Sequence, residues 1–214
     1  MTIKRLDIDP ANVDVDGICE AQTTGAAGNL ILNGALCDLG TPLRFDIGDS
    51  YSSGCGGVQL VFDSSGDINT VVFTITGLDA NGNAQTATVT GVTTTEVETT
   101  TYWSQITRIA ASAAVTSSVT VGTVDEVVTR TIPINWSSLE PYTVAVLGVV
   151  GTINFDIQEG FDETREHDIL NWYSFQAGKT AAIVSDVQRH ATAVRLVVNS
   201  YTDTAELQFY VNGQ

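Results

Sequence analysis

The sequence predicts an all-β protein, and three observations carry that reading. Apolar and polar residues alternate at period 2 through most of the chain, which is a strand pattern. In 70–77, for example, Val71, Phe73 and Ile75 fall on one face and Val72, Thr74 and Thr76 on the other. Threonine supplies 29 of the 214 residues, and 18 of these lie between Thr70 and Thr131. A β-branched side chain loses little in a strand and crowds a helix. Finally, the cluster Asp79-Ala80-Asn81-Gly82-Asn83 separates that run from a second alternating run at 85–90. An Asn-Gly step tolerates positive φ, so strand, turn and strand predict a hairpin.

The other elements follow in order. Strands are expected at 41–47, 58–63, 98–110, 115–122, 125–135, 142–150, 151–157, 192–199 and 204–212. Helical signals are weak. Residues 11–24 can hold a turn or two, with Asp14 or Asp16 capping ahead of Ile18. Residues 162–175 place Ile169, Trp172 and Tyr173 at helical spacing after Asp162, which predicts one short helix or an ordered loop.

Two stretches resemble each other. Thr107-Arg108-Ile109 leads through a polar turn into TSSVTVG, and Val194-Arg195-Leu196 leads through another into AELQFYVNG. Each reads as a hairpin closing one half of the chain. The expected organisation is therefore two tandem antiparallel β-sandwich domains, immunoglobulin-like or jelly-roll-like. They cover 30–123 and 124–214, with residues 1–29 as an extended N-terminal arm.

Charge narrows the function. There are 25 acidic and 9 basic side chains, a net −16, although charged residues are only 16% of the chain. A shortage of Lys and Arg produces the acidity. Neutralising phosphates needs clustered cations, so nucleic acid is not an expected partner. No run approaches the 18 apolar residues of a membrane span, and no membrane partner is expected. MTIKRLDIDP lacks the apolar core of a signal peptide, which predicts synthesis in a cytoplasm and either retention there or exit by a route other than secretion. The odd set Cys19, Cys37 and Cys55 contains no CxxC pair and reads as buried thiols, with a bridge involving Cys37 as the alternative.

Catalytic and metal constellations are thin. Gly48-Asp49-Ser50 follows a predicted strand, as a nucleophile turn would, but its base must come from His167 or His190, and neither has the right acidic spacing. Asn12, Asp14, Asp16 and Gly17 match the first half of a calcium loop, yet Thr23 stands where a bidentate Glu should close it. A solvated acidic edge is the better reading. Ile8, Val13, Val15 and Ile18 alternate with these acids like an arm docking on a surface. Trp103, Trp136 and Trp172 divide among core, subunit interface and carbohydrate platform, and Trp136 and Trp172 join the interface candidates. No catalytic residue, metal or cofactor is assigned.

The segment VVFTITGLDANGNAQTATVTG, followed by TTTYWSQITRIAASAAVTSSVTVG, resembles a β-domain pattern of tailed-bacteriophage virion proteins. The C-terminal TAVRLVVNSYTDTAELQFYVNG is similar to the strand pair ending many small phage structural domains. The resemblance covers about half the chain and its motifs are structural. It implies a non-enzymatic virion component, first of all a capsid decoration or cement protein on the outer shell. Its partners would then be the major capsid protein and itself, as a homotrimer. A tail or head-to-tail protein is the alternative, followed by a carbohydrate-binding β-module.

Overall fold

The structure is a computed structural model that describes residues 2–8, 13–38, 41–42, 56–93, 95–134, 142–161, 171–187, 191–202 and 204–213. These residues form strands and no helix. In chain order the first strands are β1 (Thr2–Ile8), β2 (Cys19–Thr24), β3 (Gly28–Asn29), β4 (Cys37–Asp38), β5 (Thr41–Pro42) and β6 (Gly57–Ser64). Next come β7 (Val72–Leu78), β8 (Ala84–Thr90), β9 (Val97–Glu98), β10 (Gln105–Ala111), β11 (Val115–Val128) and β12 (Ile132–Pro133). The chain ends with β13 (Tyr142–Val150), β14 (Ile153–Gly160), β15 (Trp172–Lys179), β16 (Ile183–Val187), β17 (Ala193–Tyr201) and β18 (Glu206–Gly213).

The strands fall into two compact units. An inserted unit comprises Val13–Phe45 and Gly57–Val124, and a split unit comprises Met1–Asn12, Asp46–Gly56 and Asp125–Gln214. In the inserted unit one sheet has the order β3-β10-β7-β8, while β11, β6 and β9 are neighbours in another, with β2 paired to β11. In the split unit one sheet has the order β1-β18-β13-β16, while β15, β14 and β17 are neighbours in another, with β12 paired to β17.

The wiring of the two units is the same. Strands β6 to β11 are assigned to their two sheets in the same sequence as β13 to β18, and the neighbour orders β10-β7-β8 and β11-β6-β9 match β17-β14-β15 and β18-β13-β16. The flanking strands match as well: β2 pairs β11 as β1 pairs β18, and β3 pairs β10 as β12 pairs β17. One six-strand plan therefore occurs twice. Residues 1–29, expected as an arm, supply three of these flanking strands.

The cores follow from the alternation. Along β7 the burial runs half-buried, buried, half-buried without a break, and Phe73 and Ile75 are fully enclosed. In the inserted unit the rings of Phe62 on β6 and Phe73 on β7 come together from different sheets, with centroids 5.2 Å apart. In the split unit Tyr142 on β13 donates its hydroxyl to Glu159 Oε1 on β14 at 2.5 Å, again from one sheet to the other. Trp103 is wholly buried, a core residue.

The β7–β8 hairpin has seven pairs in unbroken register, from Val72↔Thr90 to Leu78↔Ala84. Asp79 organises its turn: Oδ1 accepts the Asn81 and Asn83 amides at 2.9 and 2.8 Å, and Gly82 takes φ 86°. The two look-alike stretches differ from the hairpins expected of them. β10 and β11 lie in different sheets, and so do β17 and β18. Period 2 records which side chains are buried, and that record is identical whether the next strand pairs alongside or crosses to the opposite sheet. The helical signals also give way: Cys19–Thr24 is β2, and Trp172–Lys179 is β15. Residues 162–170 lie outside the described residues.

Gly77 marks a close approach of β7 to β10. A Cβ there would stand 2.0 Å from the Gln105 carbonyl oxygen, a backbone atom that cannot swing aside. Gly77→Ala is expected to push the strands apart and destabilise the protein by about 2 kcal/mol. A thermal melt checks this, and an unchanged midpoint would mean that the strands do not approach so closely.

Candidate interaction surface

The solvent side of β14, β15 and β17 carries a continuous polar network. Antiparallel pairing sets Gln158 opposite Ser174 on one side and Arg195 on the other, with Asp156 two residues along the same face. Arg195 Nε donates to Gln158 Oε1 at 2.8 Å, Gln158 Nε2 to Ser174 Oγ at 3.2 Å, and Ser174 Oγ to Asp156 Oδ2 at 2.9 Å. The chain thus runs from a guanidinium to a carboxylate across three strands.

Two more donors end on Asp156 Oδ1, the Gly178 amide at 2.8 Å and Asn199 Nδ2 at 2.9 Å. Asn199 Nδ2 also reaches Asn154 Oδ1 at 3.0 Å. The Gly178 bond fixes a bulged stretch of β15: register shifts on both sides of Ile157 in the β14–β15 pairing, and Gly178 takes φ 60°. Burial alone would raise the Asp156 pKa. The hydrogen bonds from Gly178, Ser174 and Asn199 outweigh it and hold the carboxyl below its ordinary value.

An aromatic margin adjoins this network. The Trp172 ring lies under the Arg195 guanidinium, 4.2 Å from Cζ to the ring centroid. Phe161 and Tyr173, both exposed, pair at 5.7 Å. Each side chain is braced by a neighbour before any partner arrives, so a ligand meeting this face pays little ordering entropy. Arg, Trp and Tyr are the residue types that dominate binding hot spots.

The sequence-derived interface residues separate on this structure. Ile8 and Ile18 are 1% and 0% exposed, so neither presents its side chain to solvent. Val13 and Val15 are exposed and flank Asp14. The Asp14 carbonyl accepts the Thr123 amide at 2.8 Å, and a Cβ at Gly122 would stand 2.0 Å from that carbonyl oxygen. The acidic segment is therefore laid on β11 within its own unit. Trp172 is half-buried and belongs to the network. Trp136, Ser50, His167, His190 and Cys55 lie outside the described residues.

The sequence left Arg195, Gln158, Asp156 and Asn199 unassigned. The alternation Asn154, Asp156, Gln158 along one strand was the available signal, but the partners come from β15 and β17. Elsewhere the chemistry is sparse. Among the described residues no three His, Cys, Asp or Glu side chains are placed to hold a metal ion. Cys19 and Cys37 are free thiols; burial pushes Cys19 up to about 12 and raises Cys37, whose Sγ donates to the Ile18 carbonyl at 3.1 Å.

Comparison with protein-family models, with curated proteins and with solved structures returned no match.

Two outcomes follow. The Asp156 carboxyl titrates lower folded than unfolded, so its stabilisation is present above the ordinary value of 3.8 and is lost as pH falls through the lower folded value. The melting-temperature gap between wild type and Asp156→Asn should be widest well above the ordinary carboxylate value and should narrow as pH falls below it; a gap independent of pH would overturn the assignment. Cys19, raised from 9.0 to about 12 and wholly buried, should react with a thiol reagent at about pH 8 much more slowly in the folded protein than after unfolding, and equal rates would overturn this.

Proposed function

We propose that the chain is a non-enzymatic structural protein of a tailed-phage virion, a capsid decoration or cement protein. In this reading each unit is a β-sandwich and the partner is the major capsid protein, contacted on the outer shell at capsomer junctions. The observation that carries it is the braced face of β14, β15 and β17. There an Arg–Gln–Ser–Asp relay and a Trp172–Arg195 stack leave polar and aromatic groups fixed and open to solvent.

Such a face suits docking on another folded surface. Shell binding needs a broad, pre-ordered area with a few anchoring aromatics and guanidinium groups, and it needs no enclosed cavity. The resemblance of 70–122 and of the C-terminal strand pair to virion β-domains points the same way. So does the charge, because a net −16 discourages binding to nucleic acid and to similarly charged particles.

Binding to empty shells of the phage that encodes the chain tests the proposal. Trp172→Ala and Arg195→Ala should each weaken it about thirtyfold, the loss expected of a hot-spot residue. Circular dichroism confirms that the variants are folded. Wild type that fails to bind shells would refute the decoration role, whereas folded variants that bind as wild type does would place the contact on another surface.

A further inference from the structure

The terminal strands of these sheets are protected unequally. An edge strand offers unpaired backbone N–H and C=O groups to any extended chain, and proteins ordinarily blunt it with charge, bulges or shortness. β1 contains Lys4, Arg5 and Asp7, β2 contains Glu20, and β16 contains Asp186. β15 carries the bulge at Gly178 and ends in Lys179. β3 and β9 are two residues long.

β8 has none of these devices. Its seven residues, AQTATVT, are uncharged and free of proline, and they pair with β7 without a register shift. No charged residue occurs from Ala80 through Thr95. No described strand pairs with the outer side of β8. Its counterpart in the common wiring is β15, so the same edge is blunted in one unit and, among the described residues, unpaired in the other.

The hydrogen-bond phase shows which groups face outward. The Asp79 amide bonds the Asn83 carbonyl at 2.9 Å, and the Gly91 amide bonds the Val71 carbonyl at 2.8 Å. Antiparallel pairs alternate between bonded and non-bonded, so Gln85, Ala87 and Val89 bond inward to β7. Ala84, Thr86, Thr88 and Thr90 turn their N–H and C=O away from it. On the other side of β7 the alternation agrees: Leu78 and Val72 carbonyls accept the Ser104 and Ser112 amides of the β10 side at 2.9 Å each. The four outward residues of β8 are also the exposed ones.

We infer that β8 is a self-association edge, along which a second copy of this chain pairs antiparallel and continues the sheet across a two-fold axis. Charge selects the occupant. Two chains of net −16 repel wherever their acids meet, and the stretch around β8 is where they can approach without that cost. Identical edges related by a two-fold satisfy each other's donors and acceptors and close at two copies. This differs from the threefold assembly that the resemblance implies, and it does not depend on the virion role. A seven-residue edge is small beside a standard interface of about 1,600 Å², so the association is reversible and appears at high concentration.

Sedimentation of the full chain tests it. The weight-average mass should rise with concentration from 22.7 kDa toward twice that value, and amide exchange at Thr86, Thr88 and Thr90 should slow as it does. Thr88→Pro removes an outward donor that β7 does not use, and Thr86→Lys places a charge on the edge. Each should hold the mass at monomer. A wild-type chain that stays monomeric into the millimolar range overturns the inference. So does a dimer that survives in either folded variant, a mass approaching three times the monomer, or protection of these amides that appears only when shells are added. If neither variant folds, the wild-type exchange pattern decides alone: protection confined to other residues overturns it.

Discussion

The fold of the split unit depends on one ladder, the seven antiparallel pairs of β1 with β18 from Thr2↔Gly213 to Ile8↔Leu207. It joins the beginning of the chain to its end and completes a sheet whose remaining strands all come after residue 124. Leu6 and Ile8 are buried through it, in the same sheet as Leu207, Phe209 and Val211. Without β1 the outer side of β18 would be a bare edge, and the apolar contribution of Leu6 and Ile8 would be lost. Closing that ladder brings together residues about 200 apart in sequence. Loop-closure entropy grows only logarithmically with length, so the insertion of a whole unit between β1 and β12 is thermodynamically tolerable.

The same plan occurs twice, with the two units alike in some features and different in others. Both units share alternation, sheet order and flanking strands, which are the features that bury side chains. They differ at the equivalent strands β8 and β15. β15 carries a bulge, a positive-φ glycine tied to Asp156, and the Trp172–Arg195 stack. β8 is a regular strand of small polar residues. This difference lies where side chains and backbone groups meet solvent, where core packing imposes the least constraint.

The network on β14, β15 and β17 gives the acidic character of the chain a local exception. Here a carboxylate is held in its charged form by neutral donors: amide, hydroxyl and carboxamide groups converge on Asp156, while the Arg195 guanidinium is engaged by Gln158 and Trp172. A network in which each member orients the next is more rigid than its separate bonds. That rigidity suits recognition of a fixed partner surface. The acids of the first residues behave differently, since Asp14 uses its backbone carbonyl to hold β11.

The sequence by itself determined the class of fold, because period-2 alternation and threonine density permit little besides strands. It determined the β7–β8 hairpin, where Asp79 and Gly82 encode the turn locally. It also marked the two halves as alike through Arg108 and Arg195 and the strands that follow them. Which strand pairs with which was decided only in three dimensions. Alternation states that a strand has a buried face and says nothing of its neighbour, so β10–β11 and β17–β18 read as hairpins although each pair divides between sheets. The surface network was hidden for the same reason. Asp156, Ser174, Arg195 and Asn199 belong to three strands, and only the register of the sheet makes them neighbours.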